Sequence, residues 1–255
     1  MSGQDRAAYF LGEGALLRHA VDYSLRAGVR VAGICCPAGD SGAAKLGARG
    51  MATLESADPN EDLPRWLDAR GEAIVFSINN RHLIKDHLLG GRLRYFNIHN
   101  GLVQDYRGIG EVCLFAALCA GDVRYGATMQ QLLPGDRVDC GPVVAQLEFP
   151  VRPEDRFCDL LPRSLESCRN LFEAQLRSIL SNRFETHRVE TSKSALSYRD
   201  VAALGLDADP ARLARARDLG RYRGLLPRLA SAIESAPAGG RIGHAPVSDA
   251  RGLRS

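Results

Sequence analysis

Residues 94–102, RYFNIHNGL, read as a β-strand that stops at the turn dipeptide Asn100-Gly101. Side chains two residues apart on a strand share a face, so Asn97 and His99 present an amide and an imidazole to one point in space. Such a pair is either a polar edge or a site. The sequence on both sides decides what kind of strand this is.

Upstream, apolar runs alternate with helical periodicity. AAYFLG (7–12) is a short strand, and residues 15–28 repeat apolar positions at helical spacing until Gly28. VRVAGICC (29–36) is the next strand, closed by Pro37. After a Gly-rich loop come a helix over 62–71, a strand over 73–79, a helix over 81–91 and the strand of Asn97 and His99. Strands alternating with helices predict βαβ units. The expected fold is α/β, a Rossmann-like open, mostly parallel sheet with helices on both faces.

Downstream, 109–121 is a strongly apolar helix. Segments 125–132 and 142–151 form a strand pair around the polar loop 133–141, and 154–180 is a long amphipathic helix that Pro162 should bend or interrupt. Regularity then fades. Residues 181–207 are polar, 208–236 are Arg-rich and helical, and the last twenty residues, poor in core-forming side chains, are expected to be mobile. This divides the chain into an α/β domain at 1–180 and a mainly helical C-terminal extension at 181–255.

The 255 residues are 45% hydrophobic, with a formal net charge of +3, enough for one sizeable core. No stretch approaches the roughly 18 apolar residues of a membrane span. With no secretory signal at the start, a cytoplasmic location is expected. Seven cysteines without CxxC or Cys/His spacing read as core thiols rather than metal ligands. Residues 181–255 carry 13 Lys/Arg against 8 Asp/Glu, a basic tail that a solvated face explains more simply than nucleic acid.

LGEGALL (11–17) sets two glycines between the first strand and its helix, where free N–H groups can bind an anion. It is not GxGxxG, no P-loop lysine follows, and Glu13 opposes a phosphate. A tight turn is the plainer reading.

The informative set is Asn97, His99 and a carboxylate, because open parallel sheets bind ligands beyond the carboxyl ends of their strands. Asn97-Ile98-His99, then Arg107-Gly108, then Asp139-Cys140-Gly141 resemble the N10-formyltetrahydrofolate-dependent formyltransferases over roughly residues 7–180. This chain departs from their pattern in having Asn100 and Gln104 where prolines are common. The resemblance implies Asn97, His99 and Asp139 as the catalytic trio, with Asp136 a rival carboxylate three residues away. It also implies 10-formyltetrahydrofolate as co-substrate, bound by Asn80, Arg81, His82 and Leu83 and by Arg137 and Val138, with no metal. Arg107 is read as a loop anchor.

The expected activity is transfer of a formyl group to the amine of a small molecule, such as an amino sugar nucleotide, an amino acid or a biosynthetic building block. Methionyl-tRNA formylation and formyltetrahydrofolate hydrolysis are the alternatives. The extension could cover the acceptor pocket or form a homodimer contact.

Overall fold

The computed structural model describes residues 6–47, 49–67, 73–191 and 194–236. Its elements run in the order β1 (Ala7–Gly12), α1 (Gly14–Arg26), β2 (Val31–Cys36), α2 (Ser41–Gly47), β3 (Thr53–Glu55), α3 (Pro59–Trp66), β4 (Ala73–Ile78), α4 (Asp86–Leu89) and β5 (Arg94–His99). There follow α5 (Gly110–Ala120), β6 (Arg124–Leu132), β7 (Val143–Pro150), α6 (Phe157–Leu180), α7 (Val201–Leu206), α8 (Pro210–Arg217) and α9 (Pro227–Ser235). The strands form one sheet in the order β3-β2-β1-β4-β5-β6-β7. The first five pair parallel and the last two antiparallel. Strand order reverses at β1/β4, so the carboxyl ends of β1, β4 and β5 lie side by side at the switch point.

Period-two alternation covers both faces of the sheet. Ala8, Phe10, Ile74, Phe76, Phe96 and Ile98 pack with α1 and the second half of α6. Ala7, Tyr9, Val75 and Tyr95 pack with Leu63 of α3 and Leu88 of α4 on the other side. Each of the larger aliphatic and phenylalanine side chains taken out of water contributes roughly 1.5–3 kcal/mol. A third cluster joins α5, which is buried nearly all round, to the start of α6 and to Val201, Leu213, Ala216, Leu229 and Ile233 of α7–α9. The C-terminal helices are therefore bonded to the sheet through α5. Arg212 of α8 seals this contact by donating Nη1 to the carbonyl of Ala120, the last residue of α5, at 2.8 Å, which favours the negative end of that helix.

Three local expectations change. The helix expected over 81–91 shrinks to the four residues of α4, because asparagine side chains capture the backbone before it. Asn80 brackets His82 through His82 N to Oδ1 at 3.1 Å and Nδ2 to His82 O at 2.7 Å. Asn60 takes Leu83 O and Lys85 N. Such bonds compete with helical ones. Pro162 does not interrupt α6, which runs 24 residues through it; Phe157, Leu160 and Leu161 before it and Ser164, Cys168 and Leu171 after it are buried, and that packing outweighs one missing N–H bond. The loop at 37–58 contains α2 and β3, a three-residue edge strand too short for a sequence pattern. The last twenty residues lie outside the described chain, save Ala236.

Candidate active site

Asn97 and His99 sit at the carboxyl end of β5, paired opposite Gln130 and Thr128 of β6. The turn that follows is held by hydrogen bonds where the resembled family has proline rings. Tyr125 Oη donates to Asn100 O and Thr128 Oγ1 to Gly101 O, each at 2.8 Å, and Gln146 Nε2 donates to the Gln104 side chain at 2.7 Å. His99 is thereby clamped. Its Nε2 lies 3.0 Å from the carbonyl of Tyr106, and a carbonyl only accepts, so Nε2 carries the hydrogen. The Nδ1 atom is left to face whatever approaches from the other side.

That neighbour is Asp139. Its Oδ2 lies 3.5 Å from His99 Nδ1, with side-chain exposures of 4% for the histidine and 9% for the aspartate. Its Oδ1 lies 3.5 Å from Asn97 Nδ2. Both contacts are longer than closed hydrogen bonds. The firm bonds come from elsewhere: Gly108 N to Oδ2 and Gln130 Nε2 to Oδ1, each 2.8 Å. A buried carboxylate needs such donors. Asp139 itself adopts φ 52°, a left-handed turn residue at the tip of its loop.

The loop is tied from below by the buried Arg107, whose Nη1 meets Val138 O at 2.8 Å and Cys140 Sγ at 2.9 Å. Arg107 is thus an anchor, as its place in the sequence suggested. Cys113 Sγ lies 3.3 Å from Arg107 O; burial, and then the charge of Asp139, push its thiol well up, so it stays neutral. Asp136, the rival carboxylate, is spent on Arg188 at 2.9 Å. The structure therefore brings Asn97, His99 and Asp139 together.

The six residues read as folate contacts fall in two groups. Asn80, Arg81, His82 and Leu83 follow β4, next to the end of β5; Arg81 pairs with Glu13, and Leu83 is 64% exposed. Arg137 and Val138 belong to the Asp139 loop, where Arg137 Nη2 reaches Thr191 O at 3.4 Å. Arg137 also lines an open cleft of about 520 Å³ with Asp136, Cys140, Arg188 and Thr191. None of Asn80, Arg81, His82 and Leu83 lines that cleft. The exposed Leu83 side chain thus stands on a turn whose His82 N–H and whose His82 and Leu83 carbonyls are already bonded to Asn80 and Asn60. At the first βα turn, Gly14 N already donates to Asp40 Oδ2 at 3.0 Å, so a carboxylate holds the place an anion would take.

Three partners of the trio escaped the sequence reading: Tyr106 through its carbonyl, Gly108 through its amide, and Gln130. Main-chain atoms leave no residue signature. Gln130 required knowing which β6 residue faces Asn97.

Among the described residues no group of three or more His, Cys, Asp or Glu could hold a metal ion, and no helix is long and apolar enough to cross a membrane.

Residues 61–174 match the family model described as Formyl transferase. The fold is similar to that of a sugar N-formyltransferase from Shewanella sp. (16% identity, TM-score 0.69, covering 86% of this chain and 90% of that one). It is similar also to an N-formyltransferase from Helicobacter canadensis, solved with folinic acid and dTDP-3-aminofucose (18%, 0.62, 76% and 71%). A glycinamide ribonucleotide transformylase from Symbiobacterium toebii aligns at 23%, with a TM-score of 0.63, over 74% of this chain and all of its own. The parallel sheet, its antiparallel edge and the helices on both faces are the architecture of these enzymes. The matched stretch, residues 61–174, contains Asn97, His99 and Asp139, so the part of the chain that resembles the formyl transferase family is the part that carries the candidate site.

Proposed function

We propose that this chain transfers the formyl group of 10-formyltetrahydrofolate to the amine of a small molecule, with Asn97, His99 and Asp139 as catalytic residues. The observation that carries the reading is the convergence on Asp139: one buried carboxylate within 3.5 Å of both the Asn97 amide and the His99 ring. The folate would supply the formyl carbon, held by Asn80, Arg81, His82 and Leu83 on one side and by Arg137 and Val138 on the other.

Amine attack on a formyl carbonyl builds negative charge on oxygen and leaves a surplus proton on nitrogen. Asn97 Nδ2 is a fixed amide donor for that oxygen, an interaction worth on the order of 3 kcal/mol in comparable sites. His99 exchanges its proton at Nδ1, since Nε2 is committed to Tyr106 O. Asp139 orients the ring and shares that proton, so the pair takes it from the amine and returns it to the leaving nitrogen. Burial of both groups keeps bulk water out of the exchange.

The acceptor favoured is an amino sugar nucleotide, the class to which the ligand of the Helicobacter canadensis relative belongs. Catalysis is assigned to residues 1–180, with 181–255 bracing the site: Leu196 N and O bond Arg107 O and Ile109 N, on either side of Gly108. The test is consumption of 10-formyltetrahydrofolate by purified protein with and without a panel of amines. Amine-dependent formation of an N-formyl product supports transfer, and release of formate without amine supports the hydrolase instead.

A further inference from the structure

Gln130 is fully buried on β6, directly opposite Asn97, and the β6–β7 pairing shifts register between Met129 and Gln130. The extra residue at that point is Val144 of β7, so β6 keeps its regular pairing with β5 and Gln130 stands on the same sheet face as Asn97. The loop comes close to meet it: a Cβ at Gly141 would lie 2.0 Å from Gln131 O and 3.6 Å from Gln130 Oε1. Because Asp139 Oδ1 only accepts, the Gln130 amide must turn Nε2 toward it. Oε1 then points away, buried and without a donor among the described residues. A side chain kept for packing would not carry an unmet carbonyl into the core.

We propose that Gln130 is a positioning residue for formyl transfer: its amide and the Gly108 N–H grip the two oxygens of Asp139 and set the carboxylate between Asn97 and His99. This rests on the activity proposed above. The grip divides the work. The two 2.8 Å bonds locate the carboxylate, leaving the two 3.5 Å contacts free to tighten when charge develops on the reacting atoms.

Gln130→Met keeps the volume and removes both the donor and the unmet oxygen. It should lower kcat about tenfold, as expected for a misplaced catalytic group, while KM for 10-formyltetrahydrofolate changes less than about twofold and Tm stays equal or rises. Gln130→Glu supplies a donor only when protonated, so the ratio of its kcat to that of the wild type should rise as pH falls from 8 to 5.5. His99, Arg107, Cys113 and Cys140 are the other ionisable groups around Asp139, and Gln130→Met, which adds no ionisable group, gives the pH profile against which the effect of the introduced carboxyl is read. Gln130→Glu also carries the test should Gln130→Met fail to fold. An active wild type with a pH-independent ratio, or with unchanged kcat in Gln130→Met, overturns the inference alone. A wild type that formylates no amine overturns the proposed activity and this inference with it.

Discussion

Leu196 lies against Gly108 so closely that a Cβ on the glycine would sit 2.2 Å from the Leu196 carbonyl oxygen. The same glycine has φ +101°, outside the range of L side chains, and its N–H holds Asp139. Gly108→Ala therefore strains the backbone and pushes away the segment that braces the site. We expect a loss of stability of roughly 2 kcal/mol or more, read by urea unfolding, together with loss of formyl transfer. An alanine variant with wild-type unfolding and turnover would show that the loop yields freely.

Replacing the reacting groups themselves should separate activity from stability. His99→Ala or Asp139→Asn is expected to lower kcat at least about a hundredfold, in line with general acid/base contributions. Asp139→Asn keeps the shape and can still accept from Gly108, so its circular dichroism and Tm should stay near wild type. Near-native turnover in both variants would remove the pair from the mechanism.

Arg107 reaches both Val138 O and Cys140 Sγ through Nη1 from a buried position, a place that the compact, strongly hydrated ammonium of lysine fills less well than a weakly hydrated guanidinium. Arg107→Lys should destabilise the fold by about 1–3 kcal/mol and lower kcat without abolishing it. Calorimetry and steady-state kinetics on the same preparation check both. Unchanged Tm would mean that the Asp139 loop needs no tether.

Alkaline pH should weaken the fold through its thiols. Burial pushes Cys35, Cys119 and Cys168 up to about 12 and Cys36 up to about 11, from an ordinary value of 9.0. The unfolded chain loses these protons first, so the native state binds more of them above pH 9. Their stabilising contribution is fully present below pH 9 and is lost as pH rises from 9 toward 12. Each group adds at most about 1.4 kcal/mol per pH unit to the slope. Unfolding free energies at pH 7.5, 9 and 10.5 test this, and Cys119→Ala should flatten the decline.

Much of the architecture was legible because one-dimensional periodicity reports burial. AAYFLG and AIVFSIN alternate faces in a sheet covered on both sides, and VCLFAALCA is apolar throughout because α5 is enclosed. Where side chains bonded to nearby backbone, the pattern misled. Asn80 and Asn60 shortened α4, and nothing in the order of residues 81–91 records that Asn60 lies beside them.

At the site, local order determined that Asn97 and His99 share a strand face beyond a β-strand's carboxyl end, since the period of an extended chain is two and leaves no choice. Which atoms surround them was decided only by tertiary structure. The approach of the 133–142 loop, the Gly108 amide and the Gln130 side chain depends on β6 register and on the clasp between Arg107, Ile109 and Leu196. Those are contacts between distant segments, made by main-chain atoms or by ordinary residue types, and only the packed fold brings them within hydrogen-bonding distance.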